Sequence, residues 1–176
     1  MKNFRMLLVA GLALTFATGF AHAQSPAELS DAQIAHVAYN ADNIDIRYAH
    51  LALAISQNPA VREFADTMIR DHTAVNEQAL ALLGKLKVKP EDNFLSQSLL
   101  VGADKLIDEM SKLRGADFDK RYAANELAYH KAVIDLVGNS FIPNIENAEV
   151  KALFQAGLVI FKAHEGHAAM MVAGLK

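Results

Sequence analysis

Apolar residues recur at alternating intervals of three and four along almost the whole chain after residue 30, and this spacing constrains the fold more than any other feature. Such spacing places apolar side chains on one face of an α-helix, so each segment predicts a helix that buries one stripe. The first stripe comprises Ile34, Val37, Ala41, Ile44, Tyr48, Leu51 and Ile55. No segment shows the alternation of a strand, so the sequence predicts an all-α protein.

Capping and breaking residues divide this periodic region into five helices. Ser30 is a natural N-cap for the first helix, and Asn58 with Pro59 separates that helix from the second. The remaining boundaries predict a shorter helix over about 95–113, a helix over about 118–141 and a last helix capped by Asn147. Short connectors at 57–59 and 142–147 favour two antiparallel hairpins. We therefore predict an up-and-down four-helix bundle with one extra short helix.

Residues 1–23 have the layout of a cleavable secretory signal. Two basic residues precede an apolar run of about 15 residues, and Ala21 and Ala23 are small residues at the positions before the cleavage site. The apolar run is short for a membrane span, which needs about 20 residues. The sequence predicts cleavage after Ala23, a periplasmic location and a single domain over 24–176.

The composition narrows the classes of function. The formal charge of −3 becomes about −5 once Lys2 and Arg5 leave with the signal, and no basic patch is present, so nucleic acid is a poor partner. The chain has no cysteine, which excludes disulfides and a lipid-modified cysteine. It shows no nucleophile–base pair and no glycine-rich phosphate loop, so no catalytic residue is predicted and an enzyme is the weakest interpretation. After removal of the signal, no segment is expected to insert into a membrane.

Three histidines lie on apolar stripes, each on a different helix: His72, His130 and His164. Counting the helical rise from the second hairpin turn places His164 level with Glu126 and one turn from His130. His167 lies one turn beyond His164, and we expect it on the same face. The spacing therefore predicts that histidines and a carboxylate converge inside the bundle.

A metal site is the first interpretation of this convergence. Imidazole nitrogens and carboxylates suit a mononuclear divalent transition metal, with Zn, Cu, Fe and Mn as candidates. Counting from the first hairpin turn places His72 level with Asn43 to Asp45. Whether His72 and Asp45 join the site depends on how the two hairpins dock. The candidate ligands are His72, His130, His164, Glu126, His167 and Asp45.

Two other interpretations stay open at this point. The histidines could be core polar links of a metal-free structural or interaction protein of the cell envelope, each bonded to a neighbouring side chain or carbonyl. They could also form a cluster that gains charge as the pH falls toward about 6.

Four stretches carry a resemblance to a known family: "NPAVREFADTMIRDHTAVNEQALALLGKL" (58–86), "LRGADFDKRY" (113–122), "AYHKAV" (128–133) and "FKAHEGHA" (161–168). Together they make the chain similar to the bacterial family called domain of unknown function 4142, over about residues 31–173. The resemblance implies an exported protein with a ferritin-like fold, and it implies no reaction.

The chain departs from the usual ferritin-like metal centre. Di-iron sites of that class use a Glu-x-x-His motif on each of two helices. Here Ile69 precedes His72 by three residues, and Leu127 precedes His130 by three. This departure speaks against a di-iron centre and favours a mononuclear, histidine-rich site or no metal site at all. The predicted role is metal handling or protection of the envelope under stress.

Overall fold

A computed structural model describes residues 25–175, and these residues form helices without any strand. The long helices are α1 (Asp31–Ile55), α2 (Pro59–Leu86), α3 (Phe94–Ser111), α4 (Gly115–Asp135) and α5 (Ala148–Gly174). A 3₁₀ turn, Pro26–Glu28, precedes α1, and α4 continues into a π-helical segment, Leu136–Phe141, and a short helix, Ile142–Asn144. The prediction of an all-α fold is confirmed for the described part of the chain. The predicted signal, 1–23, lies outside it.

The helix ends follow the capping residues that the sequence indicates. The Ser30 side chain accepts a hydrogen bond from the Gln33 amide, and the Gln33 side chain accepts one from the Ser30 amide, which completes a capping box. Asn147 caps α5 as predicted. By contrast, α4 begins at Gly115, three residues before the predicted start. Gly115 adopts a φ of 56°, a left-handed conformation without steric cost for glycine, and this lets the helix begin directly after α3.

Four of the helices pack in a closed ring of neighbours. The helix α1 packs against α2 and α4, and α5 packs against the same two helices from the other side. The connectors α1–α2 and α4–α5 are short, so each of these pairs is an antiparallel hairpin. The fifth helix, α3, lies outside the ring and packs mainly on α1.

The course of α3 sets how the two hairpins meet. His36 contacts Ser96 near the start of both helices, and Arg47 pairs with Asp104 further along, so α3 runs parallel to α1. It therefore returns the chain to the end of the molecule where α1 turns into α2, and α4 starts there.

Polar contacts at both ends join the two hairpins. At the α1–α2 turn the Ser56 hydroxyl donates to Asp119 of α4 at 2.5 Å. At the opposite end the Asp31 carboxylate accepts hydrogen bonds from the amides of Glu146 and Asn147. These contacts place α4 antiparallel to α1 and bring the start of α5 to the start of α1.

The apolar core has two separate clusters, one in each half of the molecule. The turn-side cluster, near the α1–α2 turn, includes Phe64, Met68, Met110, Phe118, Tyr122 and Met171. The far cluster, at the opposite end, includes Leu29, Ile34, Val37, Val137, Phe141 and Val150. Buried polar side chains lie between the two clusters. None of the helices within residues 25–175 is both long and apolar enough to cross a bilayer.

Candidate metal centre

Six buried polar residues lie between the two apolar clusters, and we call them the central cluster: Asp42, Asp45, His72, Glu126, His130 and His164. Helices α1 and α4 each supply two of them, because spacings of three and four residues place side chains on one helix face. The helices α2 and α5 supply one histidine each. Every helix of the ring therefore contributes to one site in the middle of the molecule.

Two of the histidines are oriented by carboxylates. The His72 Nδ1 atom donates to Asp42 Oδ1 at 2.7 Å, and the His164 Nε2 atom donates to Asp71 Oδ2 at 3.0 Å. The other ring nitrogen of each, His72 Nε2 and His164 Nδ1, is buried without a hydrogen-bond partner. A carboxylate that holds one ring nitrogen of a histidine fixes which nitrogen carries the proton and orients the other, as is typical of metal-ligating histidines.

His130 shows the same pattern with a carbonyl in place of the carboxylate. Its Nδ1 atom donates to the backbone oxygen of Glu126 at 2.9 Å, and its Nε2 atom has no hydrogen-bond partner. The centroids of the three rings are 5.2 to 5.8 Å apart. One ring nitrogen from each of His72, His130 and His164 lies within 4.8 Å of the others.

Two carboxylates face this group of rings from the other side. Asp45 and Glu126 are fully buried, and both Asp45 oxygens and Glu126 Oε2 lack hydrogen-bond partners. Asp45 Oδ2 lies 2.7 Å from His72 Nε2 and 3.4 Å from His130 Nε2, and neither contact has the geometry of a hydrogen bond. Asp45, Glu126 and His130 also offer ligand atoms within 4.8 Å of one another. The two possible ligand groups thus share His130.

Burial and mutual charge set the protonation of the acids. Burial raises the pKa of Glu126 well above its usual range, and the nearby charge of Asp45 raises it further. Burial also raises the pKa of Asp42, although His72 opposes the shift. For Asp45, burial acts in the same direction, but the interaction with the charged His72, and to a smaller extent that with His130, outweighs it and holds the pKa at about 2.

The pKa values of the three histidines also shift in different directions. Burial by itself would lower the pKa of His72, but Asp45 and Asp42 raise it to about 10. Burial lowers the pKa of His130, and it lowers the pKa of His164 to about 4 despite the hydrogen bond with Asp71. In the ion-free protein His72 therefore carries the positive charge opposite Asp45, and the other two rings are neutral.

These donors fit a divalent first-row transition metal. Such ions take neutral imidazole nitrogen and carboxylate oxygen, and the central cluster presents both types: the free ring nitrogens of His130 and His164 carry lone pairs, and His72 would release a proton on binding the ion. The ion pairs of Asp42 and Asp45 are all with histidines, so a bound cation would replace a proton as the counter-charge. Each unpartnered buried polar atom costs about 1–3 kcal/mol, and one ion would satisfy several of them.

The structure brings together five of the six candidate ligands and leaves His167 outside. Its side chain is exposed and lines a surface depression beside Asn58 and Met170, away from the central cluster. The helices that pack against α5 cover His164 and Ala168, which are four residues apart, whereas the His167 side chain, short of a full turn from His164, stays in solvent. The expectation that His167 shares the buried face of His164 is therefore wrong.

Sequence reasoning missed two residues that orient the ligands. Asp42 lies three residues before Asp45 on α1, and that spacing was the available signal, because it places both carboxylates on one face. Asp71 directly precedes His72, yet its side chain bonds His164 on another helix. No local pattern predicts that contact, since it depends on how α2 packs against α5.

Fold and site together define the class: an all-helical protein whose interior holds a histidine and carboxylate cluster that could bind a metal ion. The family model described as Domain of unknown function (DUF4142) matches residues 17–171. The chain belongs to this family, as the four quoted stretches predicted. Comparisons with curated proteins and with solved structures found no match.

Proposed function

We propose that this chain is an exported, ferritin-like helical protein that binds one divalent transition metal ion in its interior, for metal handling or for protection of the cell envelope under stress. The ligands are His72, His130 and His164, completed by Asp45 and Glu126. One observation carries the proposal: each of the three buried histidines is bonded through one ring nitrogen to a carboxylate or carbonyl, and its other nitrogen makes no hydrogen bond, that of His72 lying in an ion pair with Asp45 that a metal would replace.

A metal explains this pattern better than polar links do. In a metal-free core, ring nitrogens bond to neighbouring acceptors, because an unpartnered buried donor or acceptor costs about 1–3 kcal/mol. Here three ring nitrogens and two carboxylates have atoms without a hydrogen bond, and they lie in two ligand groups that share His130. Asp42, Asp71 and the Glu126 carbonyl each accept a hydrogen bond from one ring nitrogen, and metal-ligating histidines are typically held in place by such a bond.

The directions of the helices support the ferritin-like assignment. Lys85 pairs with Glu149 and Asp71 with His164, so α2 and α5 run antiparallel, as do the helices within each hairpin. One long crossover, occupied by α3, joins the hairpins, and this connectivity is typical of ferritin-like bundles. The ligand set differs from that of a di-iron centre because neither α2 nor α4 carries Glu-x-x-His. We therefore propose a mononuclear site.

Metal content is the direct test. The protein is purified without a histidine tag, loaded with Zn, Cu, Fe or Mn in turn, desalted and measured by mass spectrometry. We expect about one ion per chain in the wild type, with the preferred metal identified by competition. His164→Ala should lose the ion, because it removes one of the three histidine ligands. His167→Ala is the matched control, one turn away on the same helix, and should keep it.

The alternative function is that of a metal-free structural or interaction protein of the envelope. The observation in its favour is the pairing of His72 with Asp42 and Asp45, which balances charge without an ion. Wild-type protein that binds none of the four metals, and whose stability does not respond to them, would support this alternative and contradict the metal site. Equal metal loss in both α5 variants would also contradict the assigned ligands.

Export is tested independently of metal. A cleavable signal predicts that the protein recovered from the periplasmic fraction starts at Gln24. Edman sequencing or intact-mass measurement checks this, and a recovered chain that starts at Met1 would contradict it.

A further inference from the structure

A partly enclosed cavity of about 140 Å³ lies between the helices on the side of the central cluster that faces the far apolar cluster. All four helices of the ring line it, with contributions such as Val37, Val75, Val133 and Phe154. The π-helical segment Leu136–Phe141 forms part of its wall. Because π-helical turns occur frequently at functional sites, this irregular backbone is consistent with a binding role.

The wall of the cavity is almost entirely apolar. Its polar members are Asp42 and the tyrosines Tyr39 and Tyr129. The Asp42 carboxylate already accepts the hydrogen bond from His72, and the Tyr129 hydroxyl donates to the backbone oxygen of Ala41 at 2.9 Å. Water needs two to four polar partners to be held in such a space, whereas an apolar cavity of about 150 Å³ stays dry and takes up benzene or xenon. The chemistry of the wall therefore selects an apolar occupant.

The cavity and the central cluster share part of a wall. Phe161 faces the cavity and stacks on the His72 ring, with a centroid distance of 5.4 Å and an interplanar angle of 11°. Asp42 also lines the cavity and holds His72. An occupant would therefore lie one side chain away from a candidate metal ligand.

We propose that this cavity is a binding site for a small apolar molecule, of the size of benzene or a short alkyl chain. The proposal goes beyond metal binding and does not require it, because the wall is formed by the protein itself.

Small residues keep the space open. Ala41, Ala79 and Gly157 line the cavity from three different helices. A Cβ atom at Gly157 would meet only the Phe161 ring, at an ordinary contact distance of 3.7 Å. Because Gly157 lines the cavity and a Cβ atom there causes no clash, Gly157 is the position at which a larger side chain is expected to fill the space and block binding.

The test compares Gly157→Leu with Gly166→Leu. The two substitutions are chemically identical and lie on the same helix, but Gly166 is exposed and has open space around it. Benzene is titrated into wild type and both variants, and the methyl resonances of Val37, Val75 and Val133 are followed by NMR. We expect saturable shifts of these methyls in the wild type and in Gly166→Leu, and at least a tenfold loss of affinity in Gly157→Leu.

Two results would overturn the proposal: no saturable shift in the wild type, or equal affinity in both variants. If Gly157→Leu does not fold, xenon titration of the wild type decides instead. Shifts at these methyls that saturate with xenon pressure support the site, and shifts that stay linear, as for weak surface contact, contradict it.

Discussion

The two halves of the molecule on either side of the central cluster are built from the same kind of apolar stripe, yet they are filled differently. In the turn-side half, aromatic rings and methionines interdigitate, and Met68, Met110, Phe118 and Tyr122 are all fully buried. In the far half, alanines and Gly157 face one another around a cavity of about 140 Å³. The comparison teaches that helical periodicity specifies which face is buried, whereas side-chain volume decides whether the buried space is full.

The largest expected effect on stability comes from truncating one aromatic side chain in each half of the molecule. Phe118→Ala removes a fully buried ring stacked on Tyr122, and we expect a loss of about 3–5 kcal/mol in the free energy of unfolding. Phe154→Ala removes a half-buried ring at the cavity wall, and the expected loss is below about 2 kcal/mol, since less surface returns to water. Urea denaturation measures both. Equal losses would contradict the difference in packing.

The next effect concerns the central cluster that separates the halves. A metal at a hundredfold excess over its Kd should stabilise the wild type by about 2.7 kcal/mol. For a domain of this size that corresponds to a rise in Tm of roughly 5–10 °C, which a chelator should reverse. Thermal denaturation of wild type and His72→Ala, each with and without the metal identified by mass spectrometry, checks this. A rise of the same size in His72→Ala would show that the metal binds elsewhere.

Filling the cavity with a larger side chain should make the far half as well packed as the turn-side half and should raise the free energy of unfolding. Gly157→Leu and Gly166→Leu both gain helix propensity, about 0.8–1 kcal/mol for replacing glycine. Gly157→Leu should gain a further 1.5–3 kcal/mol, roughly, because its side chain is buried in space that is otherwise apolar and open. The free energies of unfolding from urea titrations give the difference. A Gly157→Leu protein less stable than Gly166→Leu would mean that the wall cannot accommodate the side chain.

The smallest expected effect lies at the boundary between cavity and cluster. Tyr129 lines the cavity, and its ring lies 6.2 Å from that of His130. Tyr129→Phe removes the hydrogen bond to the Ala41 carbonyl, and we expect a loss of about 0.5–1.5 kcal/mol with an unchanged urea m-value. A substantially larger loss, or a changed m-value, would indicate that the hydroxyl holds the two sides of the cavity together.

Several features of the site could be predicted from sequence because they depend on one helix at a time. His72, His130 and His164 lie on apolar stripes, and the stripe alone predicts that each is buried. Glu126 and His130 are four residues apart, so they share a helix face however the helix packs. The positions of Ser30 and Asn147 as caps follow from the same local chemistry.

Other features depend on how separate helices meet, and sequence could not decide them. Asp45 reaches His72 and His130 only because α1 packs between α2 and α4. His167 differs from His164 by three residues, and whether that offset leaves a side chain inside or outside depends on the neighbouring helix. The stripe pattern does not predict the cavity either, because the cavity depends on which small residues of different helices lie next to one another.

The sequence by itself therefore determined the helices, their buried faces and the residue types that meet inside, because hydrogen bonding and helical periodicity act over a few residues. Only the tertiary structure decided which carboxylate orients which histidine, that the far half keeps an open cavity, and that His167 faces solvent. Those outcomes depend on how helices distant in the chain pack against one another, which the volumes of their side chains decide.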